Sequence, residues 1–247
     1  MYRSSLLIGL VFAILLLVGA GPRTVLAQNS AETTPVVVVE LFTSQGCSAC
    51  PPADRFLAKM AEEPGLIALS LHVDYWDYLG WRDRFGRPEN TARQKNYAAA
   101  MQARSIYTPQ MVIQGQWRRI GSDVKSVREA IEAARNIVPV ARIDIEPGEA
   151  RITVQVAPLA GVSFTSIGIL HFISYDRPQR IKIDRGENAG VDMTYVNVVR
   201  DWMKLGYWDG TSAQSFEAPT PEMGRGVAVL LQDGPVGAIL AAARLEP

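Results

Sequence analysis

Both cysteines of the chain stand in one short stretch, Gly46-Cys47-Ser48-Ala49-Cys50, directly after the apolar run Val36–Phe42. Two cysteines three positions apart close a very small ring. The chain-entropy picture gives such a ring about 2 kcal/mol of stabilisation, against roughly 4 to 5 kcal/mol for a loop of a hundred residues. The pair is a poor clamp and an easily reversed one, so the fold around it has to be held by packing. That fold must also lead a buried strand straight into the dithiol. Val36–Phe42 is apolar at nearly every position, with Glu40 as its one charge, the pattern of a strand covered on both faces.

The amino terminus reads as an export signal. Arg3 supplies the positive start, Leu6–Ala20 form an apolar centre, and Val25-Leu26-Ala27 offers the small residues that a signal peptidase accepts. The apolar run is shorter than the roughly 20 residues a spanning helix needs. Residues 1–27 are therefore expected to be a signal peptide and 28–35 a flexible lead-in. A periplasmic or secreted location follows, with membrane contact only through the uncleaved signal. Exported chains often use disulfides for stability, yet a chain of this length can bury a real core without them. The formal net charge is zero, and leaving out Arg3 and Arg23 makes the balance slightly acidic. With no basic block, nucleic acid is not an expected partner.

After Val36–Phe42 the pattern predicts a helix over Pro51–Glu63, a buried strand over Leu66–Val73 and a helix strongest over Thr91–Ala103. A hairpin follows, with Met111–Ile113 and Trp117–Ile120 flanking Gln114-Gly115-Gln116. Asp123–Arg135 closes this part as an amphipathic helix capped by Ser122 or Asp123. Beyond Pro139, Arg142–Glu146 and Arg151–Val156 alternate polar and apolar as a hairpin with one wet face. Ile167–Ser174, Tyr195–Trp202, Gly226–Leu231 and Val236–Ala242 continue as strands.

The order strand, C-x-x-C, helix, strand, helix, apolar-Thr-Pro, hairpin, helix resembles the thioredoxin fold. The expected class is an α/β thioredoxin-like domain over residues 36–138, followed by a C-terminal β-rich, sandwich-like domain over 139–247. The resemblance implies that Cys47 is the exposed nucleophile and Cys50 the resolving thiol, with protein thiols or disulfides and a redox partner protein as partners. A helix N-terminus favours the thiolate that attacks. Pro51 and Pro52 start the helix after Cys50, which leaves Cys50 as a cap and weakens that effect on Cys47. Ile106-Tyr107-Thr108-Pro109 before Met111-Val112-Ile113 resembles the family's cis-proline loop, implying that Thr108 and Pro109 meet an extended substrate. Glu40 resembles the strand acid that serves such dithiols as a proton shuttle, its pKa raised by burial. It lies one residue further from the first cysteine than that pattern expects, and a strand-edge glutamate facing solvent or pairing with an arginine is the equal alternative.

Asp74–Phe85 is surplus to a minimal fold of this kind. Its aromatics pack a lid or inserted helix onto the core, or line a binding wall beside the dithiol. The run Glu40–Asp54, then His72-Val73-Asp74-Tyr75-Trp76-Asp77, Arg185-Gly186-Glu187-Asn188-Ala189-Gly190 and Tyr195–Arg200, resembles a secreted bacterial family, domain of unknown function 1223. That resemblance brings no known substrate.

The expected activity is periplasmic thiol-disulfide exchange, with no cofactor and no metal site. Two rivals use the same residues. Two thiolates can hold Cu(I), with His72 and Asp74 near enough to assist a copper-binding or copper-delivery protein. A non-catalytic binding module would keep the dithiol as a relic.

Overall fold

The computed structural model of the chain describes residues 36–245. The expected signal peptide and lead-in lie outside the described residues. The continuous apolar run becomes β1 (Val37–Thr43), fully buried along its length. β2 (Leu66–His72) runs parallel beside it and β3 (Gln110–Ile113) antiparallel on its other side. β4 (Trp117–Ile120) completes the order β2-β1-β3-β4. The β3–β4 turn uses Gln114 and Gly115, both at positive φ (49° and 67°), as tight hairpins require.

Three α-helices accompany this sheet: α1 (Pro51–Ala61), α2 (Pro88–Ala100) and α3 (Val124–Arg135). Proline stands in the first turn of α1 and α2, where its missing N–H costs nothing. Asp123 caps α3 by accepting from the Ser126 amide at 3.1 Å. Alternation along the strands decides which side meets which layer. Val37, Val39 and Leu41 pack with Phe56, Leu57 and Met60 of α1 and Val127 and Ile131 of α3.

Nine further strands follow: β5 (Ala141–Glu146), β6 (Arg151–Pro158), β7 (Gly168–Tyr175), β8 (Gln179–Lys182), β9 (Asp192–Tyr195), β10 (Val199–Trp208), β11 (Gln214–Pro219), β12 (Gly226–Asp233) and β13 (Ile239–Leu245). They form sheets of order β10-β7-β12-β13, β11-β6-β5 and β8-β9. Val154 and Val156 meet Phe172, Val229 and Leu231 in a core between the first two of these. The expected strand over Tyr195–Trp202 is broken, because Asn197 adopts φ 47° between β9 and β10, a conformation asparagine tolerates. Its side chain then donates to the Ala68 carbonyl at 2.9 Å, tying this corner to β2.

The expected class, an α/β thioredoxin-like domain with a C-terminal β-rich, sandwich-like domain, is corrected by this architecture. Among the described residues, thirteen strands stand against three α-helices, in four sheets, so the protein is mainly β. An α/β arrangement needs helices over both faces of its sheet. Here the second face of β1-β2-β3, with Val38, Phe42, Ile67 and Leu69, packs largely on another sheet through Ile173, Tyr175, Ala228 and Leu230. Only Tyr97 of α2 joins that interface from a helix. Gln114 locks the two sheets together: its Oε1 accepts from the Val38 amide at 2.9 Å and its Nε2 donates to the Ile239 carbonyl at 2.8 Å. The described residues all fall in one compact unit. No helix among them is long and apolar enough to cross a membrane.

Candidate dithiol site

Beyond β1 the chain turns through Ser44–Gly46 and reaches Cys47, which is bonded to Cys50 as a disulfide with Cα atoms 5.4 Å apart. Cys50 is the N-cap of α1, and its carbonyl accepts from the amides of Ala53 and Asp54 at 2.9 and 3.1 Å. The helix starts at Pro51, so its amino end addresses Cys50 more directly than Cys47. Cys47 is 3% exposed and Cys50 is fully covered, while Ser48 and Ala49 between them are exposed. The expectation of an exposed Cys47 is therefore corrected for this disulfide state.

The cover has identifiable parts. Asn188, in the loop between β8 and β9, donates through Nδ2 to the carbonyls of Gln45 and Cys47, both at 2.9 Å. The Gln45 amide donates to Asp83 Oδ2 at 2.7 Å, and the Trp81 indole donates to Gln45 Oε1 at 2.8 Å. A Cβ at Gly46 would lie 3.1 Å from the Cβ of Trp76. The aromatic surplus thus packs on the dithiol loop, and only Tyr78 stands well out from the surface.

The Thr108–Pro109 peptide is cis. Trp76 donates to the Thr108 hydroxyl. A Cβ at Gly121 would touch both Ala53 of α1 and Pro109, at 3.1 and 3.2 Å. Trp76 thus links the Thr108–Pro109 loop to Gly46, and Gly121 lies between Pro109 and Ala53 of α1.

Glu40 does not join them. The alternation that turns Leu41 and Thr43 toward α1 turns Glu40 to the opposite face with Val38 and Phe42. There it is fully buried and meets Arg93, whose Nε and Nη2 donate at 2.6 and 2.9 Å. The Tyr97 hydroxyl adds a third donor at 2.6 Å. The arginine-paired alternative describes Glu40, and the shuttle position under the dithiol is not its own.

A different acid lies there. Asp54 sits one turn into α1, 4% exposed, and neither carboxyl oxygen has a hydrogen-bond partner. Burial pushes its pKa up to about 7; His72, Thr43 and Arg55 pull against that shift and Asp83 adds to it. His72, at the end of β2, contacts Asp83 Oδ2 through Nδ1 at 2.7 Å, while its Nε2 has no partner. Burial alone would raise Asp83, but His72 and the amides of Gln45 and Phe85 hold it below the ordinary value. The sequence carried a signal for Asp54. Four residues after Cys50 and three before Leu57, it falls in the apolar stripe of the helix, where a lone carboxyl has to be buried.

His72 and Asp74 do not close a copper site with the cysteines. His72 Nδ1 is committed to Asp83, and Asp74 accepts from the Thr91 hydroxyl at 2.6 Å. Among the described residues no group of three or more His, Cys, Asp or Glu is arranged to hold a metal ion.

Comparison with known proteins adds four findings. A family model described as protein of unknown function, DUF1223, matches residues 38–232. The crystal structure of protein AGR_C_4864 from Agrobacterium tumefaciens is similar at 31% identity and a TM-score of 0.73, over 86% of this chain and 95% of that one. HBP35 of Porphyromonas gingivalis shares the fold at 12% identity and a TM-score of 0.59, over 86% and 75% of the two chains. A curated protein named Probable Thioredoxin, from Archaeoglobus fulgidus, is 37% identical over 51 residues. That match takes in 21% of this chain and spans just over half, 56%, of the relative.

Proposed function

The chain belongs to the DUF1223 family of proteins of unknown function, and from that premise we propose that it carries out thiol-disulfide exchange through Cys47 and Cys50 on protein thiols or disulfides. One observation carries the reading: the small-ring disulfide closes at the start of α1, and Trp76, packed on Gly46 of the dithiol loop, hydrogen-bonds Thr108 of the Thr108–Pro109 loop. The local likeness to the protein named Probable Thioredoxin supports it.

In the reducing direction, the reduced pair attacks a substrate disulfide R–S–S–R′. The Cys47 thiolate forms a Cys47–S–S–R bond and expels R′S⁻, which takes a proton from solvent. The Cys50 thiol then gives up its proton and attacks Cys47 Sγ. The Cys47–Cys50 disulfide forms and RS⁻ leaves, so two electrons pass from the chain to the substrate. Backbone around Thr108 and Pro109 would hold an extended substrate segment across the pair. The proposed setting is the oxidising space outside the cytoplasm, reached through the amino-terminal leader.

The test is the reduction potential of Cys47–Cys50 in the purified chain, equilibrated with glutathione buffers under metal-free conditions. A value between roughly −120 and −270 mV matches dithiols that exchange in catalysis. A value below about −300 mV would sink the proposal. A Cys50→Ser chain should trap a mixed disulfide on Cys47, and a Cys47→Ser chain should not react with substrate disulfides.

A further inference from the structure

We infer that the cavity between α2, β7 and β10 binds a small monocarboxylate, whose oxygens accept from Arg93, His171 and Trp202. The inference stands apart from the exchange reading. The site needs no thiol, and its Arg93 meets Glu40 on the face of the sheet turned away from the dithiol.

Alternation along β7 sets the floor of the site. Leu170 and Phe172 turn toward β5 and β6, so His171 turns with Ile173 and Tyr175 to the side that meets β1 and α2. β7 is paired on both edges, with His171 opposite Lys204 of β10 and Leu230 of β12. Trp202 of β10 packs at the margin of the same core. Its ring stands edge-on to the imidazole, centroids 5.8 Å apart. The Arg93 guanidinium lies 3.8 Å over the centre of that indole. All three side chains line one cavity of about 280 Å³, where Ala92, Pro235 and Val236 supply apolar wall.

The polar atoms here are short of partners. His171 is 7% exposed, and neither ring nitrogen has a hydrogen-bond partner among the described residues. The Trp202 Nε1 is likewise buried and unpaired. Buried polar atoms are nearly always paired, and an apolar side chain at position 171 would avoid the cost. Arg93 has a donor to spare. Its Nε and Nη2 serve Glu40, Tyr97 and Gln232. Its Nη1 carries two hydrogens and, among the described residues, serves the Pro235 carbonyl alone, at 3.3 Å. Pro235 belongs to the wall, so this end of the guanidinium borders the cavity.

These donors select the ligand. A neutral imidazole keeps one N–H, the indole has one, and Arg93 Nη1 has its spare. Turning the imidazole about its Cβ–Cγ bond, a broad torsion, brings a ring nitrogen to the wall. The surrounding field has the matching sign: burial and two cations, Arg93 and Lys204, push the His171 pKa down to about 3. A place that repels a proton repels a metal cation and suits an anion. Glu89, the acid on the wall, is exposed to water, which screens it. The cavity is near the small end of ligand pockets, which run from about 300 to 1,000 Å³. A carboxylate with a short hydrocarbon body, as in isobutyrate or benzoate, meets both the donors and the apolar wall.

The experiment titrates benzoate and isobutyrate into the disulfide-bonded full chain at neutral pH, read by the histidine ring signals in nuclear magnetic resonance. The chain has two histidines, and the His171 signals are those missing from His171→Phe. Both acids should shift the His171 signals to saturation and leave those of His72 in place. Benzamide, of the same shape without the charge, should bind at least about tenfold more weakly. Benzoate should lose a similar factor on Trp202→Phe, which removes one charge-assisted hydrogen bond and keeps an aromatic ring.

No saturable shift of His171 with either acid would overturn the site, as would equal shifts at His72. Benzamide binding as tightly as benzoate would overturn the carboxylate. Undiminished benzoate binding by a folded Trp202→Phe chain would overturn the indole donor. Where that variant does not fold, magnetisation transfer between the benzoate ring protons and the His171 ring in the full chain takes its place, and a saturated complex without such transfer overturns the cavity as the site.

Discussion

The indole Nε1 of Trp76 donates to the hydroxyl of Thr108 at 2.7 Å, and this bond fastens the cis-proline loop to the segment beside Gly46. Thr108→Val keeps the shape and removes the acceptor. It should cost about 1 kcal/mol in a urea melt, the usual net worth of one hydrogen bond. It should also slow exchange with an extended cysteine-peptide disulfide several-fold, while exchange with glutathione disulfide changes little. Equal slowing of both substrates would show that the loop does not contact the peptide.

The Glu40–Arg93 pair should matter for stability and not for redox chemistry. Glu40 is fully buried and Arg93 nearly so. Removing one partner leaves an uncompensated buried charge, at about 3 to 5 kcal/mol. Arg93→Met should show that loss by chemical denaturation, while Glu40→Leu with Arg93→Met should recover much of it. In the double variant the Cys47–Cys50 potential should stay at its original value, because the pair faces away from the dithiol. A displaced potential would reinstate Glu40 as a shuttle.

Two buried groups set opposing trends of stability with pH. Asp54 is raised to about 7, against about 3.9 in an unfolded chain. The folded state then holds the extra proton, so this contribution is complete below about pH 4 and is lost as pH rises to about 7. His171 is pushed down to about 3 by burial, Arg93 and Lys204, against about 6.5 unfolded. Its contribution is complete above about pH 6.5 and is lost on acidification. Between about pH 4 and 6.5 the two slopes cancel. Asp54→Asn should uncover a stability that rises with pH by up to roughly 3 kcal/mol across that window, and His171→Phe one that falls by a similar amount. Urea unfolding of the disulfide form at half-unit pH steps checks both, and parallel curves for the two variants would refute the assignment.

Asn188→Ala should loosen the dithiol cover. Two buried carbonyls lose their donor, worth on the order of 2 kcal/mol together, and Cys47 becomes more accessible. Reduction by dithiothreitol should quicken several-fold. A variant destabilised by that amount but reduced at the original rate would mean that Asn188 contributes stability without restricting access.

Much of the site was legible in local patterns. The apolar run, the cysteine spacing and the two prolines placed the dithiol between β1 and α1 with Cys50 as the cap. Thr108-Pro109 before an apolar strand marked the cis peptide. The fold class was not legible, because burial on both faces says that Val38 and Phe42 are covered without saying whether a helix or a sheet covers them. For Glu40 the sequence left the readings open, and one step of strand alternation decides between lying under the dithiol and lying against Arg93. Asp54 had a helical signal in its spacing from Cys50. Asn188 stood in the Arg185–Gly190 stretch that carried the family resemblance, but that stretch did not name its partners, which lie more than 140 positions away.

That separation also sets an order of events during synthesis. A nascent chain that has reached the end of α3 already contains both cysteines and the proline loop, but not the amide that later binds the carbonyls of Gln45 and Cys47. Until residue 188 has been made and the β8–β9 loop has docked, Cys47 lacks the cover it has in the finished protein. An oxidant or thiol that needs a fully open sulfur therefore has its best opportunity before the β8–β9 loop docks, and the completed fold closes that interval.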